Sequence, residues 1–379
     1  MVNKLFRSKE GKLVIVSFMS CLILLVILAF GARMSSHKPT SVSPSGNVLA
    51  STGANQNKAD FDLYKYIPPG SIISNPDKDV VFADLDGDKQ QEVIIFYTHG
   101  STNNDSKTGV MVLKKSGADY NKVWEQTYQD SRGFDDPSGV YDLNGSGRPQ
   151  IIAYRTIGAS CPGILEIYES YKGKIERITG PWTGNKGECQ RVEIKDLDSD
   201  GIPELIIRTQ NYGVNPDVYR WNGKQYVKSN YRYPEYFNEL LIGLIQDIRS
   251  QKVPTATRET WCKQAAEIYL LQHRYTEAIS LCDEVLGTID NPELTIPSMV
   301  IKENDTPEQR EQIRVLFAQE KTRGKAAIYH LMGDIYKAAG DLQQASKEYE
   351  VEQKLQLEAK EVRSQPTALT PSIGILHWI

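Results

Sequence analysis

The stretch "DLDSDGIPELIIRT", residues 196–209, sets aspartates at 196, 198 and 200, turns on Gly201 and passes at once into the apolar run 205–207. The pattern recurs as "DLDGDKQQEVIIFY" from Asp84 and "DLNGSGRPQIIAYR" from Asp142, so the three starts are nearly evenly spaced along the chain. Self-similarity at a nearly fixed period marks an architecture of repeated supersecondary units. Around these loops, from about 61 to 230, short apolar runs are broken by Gly, Asn and Asp, the texture of consecutive antiparallel strands. Each repeat holds four: "VVFADLD", "EVIIFYT", "GVMVLKK" and "NKVWEQTY" in the first, and "RVEIKDLD", "ELIIRT", "DVYRW" and "KQYVKS" in the third. The second strand of each repeat, "VIIFY", "IIAYR" or "LIIRT", is apolar at adjacent positions. Both of its faces should therefore be covered, as stacked four-stranded blades would arrange.

Aspartates at alternate positions of a tight loop gather their oxygens in one small volume, where the charges repel unless a cation joins them. Calcium meets that need, taking about six to eight oxygen ligands in flexible geometry. The third loop offers Asp196, Asp198, Asp200 and Glu204 at loop positions 1, 3, 5 and 9, and the first offers Asp84, Asp86, Asp88 and Glu92. The second keeps Asp142 alone among carboxylates, with Asn144, Ser146 and Gln150 in the other places, and is expected to be weak or empty. An EF-hand is excluded. Its bidentate Glu at position 12 would fall on Ile95 and Ile207, and strands follow where it needs helices.

An Asp-rich loop opening into a buried strand, repeated with four strands per unit, resembles the FG-GAP or VCBS repeats of integrin-like β-propellers over about 61–230. The resemblance implies propeller-like blades with calcium held structurally in the loops by the two carboxylate sets above. Full propellers close with more blades than three, so the resemblance further implies an open arc, a pairing with another chain, or a cap supplied by the helical region.

Near Tyr233 the hydrophobic period changes from two to about 3.6. "EYFNELLIGLIQDI" puts Phe237, Leu240, Leu241, Leu244, Ile245 and Ile248 on one helical face. Helical pairs follow at 259–287 and 325–355, with hairpin turns at "QHRY" and "AAGD" and a loop at 291–305. A tyrosine precedes an alanine by the same interval in each pair, Tyr269 to Ala278 and Tyr336 to Ala345. The step from one tyrosine to the other is close to two periods of a tetratricopeptide repeat, each of about 34 residues. The region is similar to such repeats, and the similarity implies a helical protein-interaction module. Antiparallel pairing in the first hairpin sets Ala266 against Ala278 and Cys262 against Cys282.

The segment 1–12 is basic, with Lys4, Arg7, Lys9 and Lys12, and residues 13–32 are an uncharged apolar run. About 20 helical residues span a bilayer, so the expectation is a signal anchor with the rest of the chain outside the cytoplasm; a cleaved signal peptide ranks second. Residues 33–60 read as a flexible tether. Cys161, Cys189, Cys262 and Cys282 form an even set that permits two disulfides. The net charge of −4 offers no basic stripe, so nucleic acid is set aside.

None of the five histidines lies in a catalytic or metal motif, and no nucleophile elbow, Walker loop or C-x-x-C occurs. His273 and His330 are read as helix-surface or packing residues. The sequence thus points to a multidomain β plus α chain: a membrane span at 13–32, three calcium-binding blades at 61–232, a helical repeat domain at 235–363 and a tail at 364–379. The function expected is non-enzymatic binding or scaffolding at the membrane, with a protein or peptide partner on the helices. The rival is a cell-wall polysaccharide-binding module or surface hydrolase using Trp124, Trp182 and Trp221.

Overall fold

A computed structural model describes residues 61–364 apart from 101–106, 130, 158–162, 179, 181–189, 210–213, 251 and 297–300. The span proposed at 13–32, the tether, the tail after residue 364, Cys161, Cys189 and Trp182 lie outside the described residues. Among the described residues no helix is long and apolar enough to cross a membrane. The helices are amphipathic or strongly charged, as in "LQQASKEYEVEQKLQLEAKEVRS" at the C-terminal end of the described chain. For the described residues the expected single-pass transmembrane fold and cell-membrane placement are thereby corrected to a mixed β and α chain without a membrane-spanning helix.

Three antiparallel sheets follow one another along the chain. In the first, β1 (Ser71–Ile72) and β2 (Val80–Ala83) share one edge of β3 (Glu92–His99), which pairs onward with β4 (Lys107–Ser116) and then β5 (Asp119–Gln129). The second repeats this with β6 (Gly133–Phe134) and β7 (Gly139–Tyr141) on β8 (Gln150–Thr156), followed by β9 (Ile164–Tyr171) and β10 (Lys174–Ile178). The third runs β11 (Gln190–Lys195), β12 (Glu204–Thr209), β13 (Asp217–Trp221) and β14 (Tyr226–Lys228). Each sheet is a four-lane meander, with the first lane split in the first two.

The second lanes are buried on both faces. Val93, Ile95 and Tyr97 of β3 pack with Phe82 and Met111 beneath Phe61, Leu63 and Tyr66, while Ile94 and Phe96 meet Ile151 and Ala153 of β8. On the other side of β8, Ile152 and Tyr154 meet Leu205 and Ile207 of β12, whose Ile206 faces the helices. The sheets therefore stack in series, covered by the 61–73 segment at one end and by helices at the other. No closed propeller or barrel is seen among the described residues, which corrects the propeller-like reading: with both outer faces covered, three sheets need no ring. Each fully buried aliphatic in these layers contributes about 1.5–3 kcal/mol.

The cap consists of α1 (Pro234–Ser250), α2 (Thr255–Leu271), α3 (Tyr275–Ile289), α4 (Pro307–Ala339) and α5 (Leu342–Ser364). Phe237, Leu241 and Ile248 of α1 are buried, as the helical period requires. α4 begins at Pro307, well before the start expected at 325, because "TPEQ" is a complete start signal. Gln309 N–H donates to Thr306 Oγ1 (3.2 Å), Thr306 N–H donates to Gln309 Oε1 (2.8 Å), and proline takes the first turn. The helix stops at Gly340, whose φ of 88° suits glycine. Part of the expected 291–305 loop is strand, since β15 (Val253–Pro254) pairs in parallel with β16 (Thr295–Ile296). The fully buried Arg258 ties this corner together, donating to the carbonyls of Ile248 and Leu294.

The second hairpin is so close that a Cβ on Gly333 would collide with the Tyr349 ring, and the phenol is held by Asp334 Oδ1 at 2.7 Å. Alanine gains about 1 kcal/mol over glycine in helix propensity, but overpacking costs about 1–3 kcal/mol. We expect Gly333→Ala to lower stability in urea unfolding; an increase would show that α4 and α5 separate freely.

Candidate functional site

The three loops share one backbone. Loop positions 4 and 6 are left-handed in each: Gly87 and Lys89 (φ 82° and 70°), Gly145 and Gly147 (68° and 74°), Ser199 and Gly201 (60° and 85°). Two of those six carry side chains that the left-handed region disfavours, so loop hydrogen bonds must hold them there. The position-1 aspartate does so. Asp84 accepts from Gly87 N–H (2.7 Å) and Lys89 N–H (2.8 Å), Asp142 from Ser146 (3.0 Å) and Gly147 (2.7 Å), and Asp196 from Asp200 (3.2 Å) and Gly201 (2.9 Å).

Position 9 faces inward and is buried in every copy, with Glu92 at 2%, Gln150 at 0% and Glu204 at 1% exposure. Its oxygen accepts the N–H of the position-2 leucine: Leu85 to Glu92 at 2.9 Å, Leu143 to Gln150 at 2.8 Å and Leu197 to Glu204 at 2.9 Å. Since glutamine serves as well as glutamate, this bond asks for an acceptor and not for a charge. Burial pushes the Glu92 and Glu204 carboxyls up, although the leucine N–H groups pull the other way.

Sheet register places one charged residue of the third lane beside each position 9. Continuing the pairs Val93–Leu113, Ile151–Tyr168 and Leu205–Tyr219 by one residue sets Lys114, Glu169 and Arg220 opposite Glu92, Gln150 and Glu204. Lys114 Nζ lies 2.5 Å from Asp86 Oδ2, 2.7 Å from Asp88 Oδ2 and 3.1 Å from Glu92 Oε1. Arg220 bonds Asp200 Oδ2 through Nη2 at 2.7 Å, while its Nε stays 3.9 Å from Glu204 Oε1. In the second loop the third-lane residue is an anion facing neutral amide donors, and Asn144 Nδ2 (2.8 Å) and Gln150 Nε2 (3.2 Å) both donate to Glu169 Oε1. Lys114 and the Gln90 N–H hold the Asp88 carboxyl below its usual range. Against the burial that opposes it, the Ile202 N–H and Arg220 do the same for Asp200.

The expected ligand sets are thus gathered in part. Carboxylate oxygens of Asp84, Asp86 and Glu92, and of Asp196, Asp198 and Glu204, lie within 4.8 Å of one another, whereas Asp88 and Asp200 turn to backbone N–H groups and the third-lane cation. Such hard-oxygen sets suit a divalent cation without selecting calcium. The fit differs between them. In the first loop the Lys114 ammonium already stands among the acids, 3.1 Å from the buried Glu92 Oε1; in the third, the buried Glu204 Oε1 has the Arg220 guanidinium no nearer than 3.9 Å. Burial and Glu204 together push the nearby Tyr233 phenol up, and Tyr233 is the residue before α1, so the third loop adjoins the helical cap. Sequence reading missed Lys114, Glu169 and Arg220; the available signal was one charged residue after the apolar stretch of each third strand.

A second concavity lies among α2, α4 and α5, a groove of about 610 Å³. Ala326, Ala327, Leu331 and Ala359 contribute apolar surface, and Lys263, Arg323, Glu352 and Lys360 are among its charged lining. His330 is on its wall, its Nδ1 2.9 Å from Glu352 Oε2, whereas His273 belongs to the α2–α3 turn and not to a helix. Trp124 packs edge-on to Tyr168 and Trp221 edge-on to Tyr226, with centroids 4.8 and 5.1 Å apart. The Cys262 and Cys282 sulfurs meet at 3.9 Å as buried free thiols. Contact with Cys282 and burial push the Cys262 thiol well up, away from reactive thiolate. No protein-family model matches the chain, and no curated protein is significantly similar to it.

The raised carboxyl of Glu204 carries a sign. A group whose folded pKa lies above its unfolded value of 4.5 favours folding below that value and loses the contribution as pH rises. Glu204→Gln keeps the Leu197 bond and cannot ionise. In chelator it is expected to raise the melting temperature at pH 7, by about 2–4 °C for each kcal/mol gained, with little change near pH 4. A lower melting temperature at pH 7 would show that the charge itself is needed.

Proposed function

We propose that the protein is a non-enzymatic binding protein whose helical cap takes a peptide segment, with the sheet stack as its rigid support. The groove among α2, α4 and α5 carries this reading. Its apolar surface among charges of both signs suits an amphipathic peptide better than a small metabolite, and exposed polar groups such as His330 and Gln356 are placed to set register. The sheets read as FG-GAP or VCBS-like repeats and the hairpins as tetratricopeptide-like units. A divalent cation, which we take to be calcium, is proposed for the third loop, where the buried Glu204 Oε1, left 3.9 Å from Arg220, supports it. There it would tie Asp196, Asp198 and Glu204 together and steady the sheet that bears the helices. A polysaccharide site on tryptophans is the less favoured reading, because Trp124 and Trp221 pack against tyrosines.

Peptide display against the full chain tests the groove. Enriched peptides should lose at least tenfold in affinity on Ala327→Arg, which fills the groove, and keep it on Val123→Arg, which alters an exposed residue of β5. Peptides indifferent to Ala327→Arg would remove the groove from the binding role.

A further inference from the structure

The geometry points to Lys114 as a built-in cation of the first loop: its ammonium takes the place a metal ion would hold, and a divalent cation binds there only when Lys114 is replaced. An ammonium has three N–H donors and no acceptor. Here three carboxylate oxygens, from Asp86, Asp88 and Glu92, surround it at 2.5, 2.7 and 3.1 Å. A divalent ion shared by Asp84, Asp86 and Glu92 would lie within a few ångströms of that ammonium, with like charges facing each other in a partly desolvated corner. Metal entry therefore requires Lys114 to leave, and its departure would strip three charge-assisted contacts at once.

The other two copies argue that the match is a property of the site. At the same register, the amides of the second loop face Glu169, and the carboxylates of the third face Arg220. The third-lane residue complements its loop in every copy, a cation where the loop presents carboxylates and a carboxylate where it presents amide N–H donors. Reach separates the first loop from the third. Lys114 touches Asp86, Asp88 and Glu92, coming within 3.1 Å of the buried Glu92 Oε1, whereas Arg220 is drawn to Asp200 and stays 3.9 Å from Glu204 Oε1, so the buried ligand oxygen is met by a cation in the first loop and not in the third. The first loop is thereby metal-independent, although its carboxylates match those of the third position for position.

Calcium titration calorimetry of the full chain, with melting curves, tests this in a Glu204→Gln background that silences the third loop. The background protein should bind no calcium at the first loop. Adding Lys114→Met should create one site per chain in the range of about 10⁻⁴–10⁻³ M, lower the melting temperature in chelator and restore it in calcium. Adding Asp86→Asn should abolish that site, and Lys114→Arg should not create it. If Lys114→Met folds only with calcium, the site is demonstrated by the rescue. The proposal is overturned if the Glu204→Gln protein already binds a calcium that Asp86→Asn removes, or if Lys114→Met is destabilised without calcium rescue. A calcium bound by the unsubstituted chain and lost with Glu204→Gln reports on the third loop alone, so the two assignments fail separately.

Discussion

A sheet that is apolar on both faces has to be covered twice, and the rest of this structure follows from that demand. β3, β8 and β12 are the strands that impose it. Ile94 and Ile95, Ile151 and Ile152, and Leu205 and Ile206 are adjacent residues on opposite faces, all nearly inaccessible to solvent. Three such sheets cover one another at two internal faces and leave two outer ones. Phe61, Leu63 and Tyr66 cover the first, and α1 with the helices behind it covers the last. The helical cap shares its core with the third sheet through Ile206 and Val218. It is further fastened by Asn215, whose amide donates to Gln264 O at 2.9 Å and to Glu267 Oε2 at 3.1 Å.

The acidic loops sit where each sheet's first lane turns into its second, and their first task is to make that turn. Left-handed residues at positions 4 and 6 are held by the aspartate at position 1, and the entry leucine is held by position 9. Neither task needs a metal. What the extra carboxylates add is local charge, and the third lane supplies an opposing side chain in each copy. An exposed ion pair of this kind contributes little. A cluster with one buried member is different, since leaving a buried carboxylate without a partner is costly. Glu92 is answered by Lys114 from the neighbouring strand, while Glu204 is left with Tyr233 and a distant guanidinium.

That asymmetry places the metal question next to the helices. Tyr233 precedes α1 and adjoins Glu204, so a cation at the third loop would act on the junction between stack and cap. The proposed peptide groove lies farther along the cap, on α2, α4 and α5. α2 links the two regions: Glu267 faces Asn215 of the stack, and Glu259 and Lys263 line the groove.

The sequence by itself determined the repeat, its strands and the hairpin partners, because these depend on local periodicity. Strand and helix periods in the apolar pattern mark which side of an element is buried, and the constant-sum pairing that set Cys262 against Cys282 follows from antiparallel helices alone. The carboxylates at loop positions 1, 3, 5 and 9 were equally legible. Only the tertiary structure decided what they face. Lys114, Glu169 and Arg220 follow Glu92, Gln150 and Glu204 at three different intervals, set by loops of unequal length, so no fixed spacing reveals them. Sheet register brings them together. The ends of the stack were likewise undecided in the sequence, since an outer face looks the same as an inner one in a strand's pattern; whether a ring, a second chain or a cap covers it depends on what the rest of the chain brings near. Here the cap does so, because Phe237 and its neighbours present an apolar face to Ile206 and Val218.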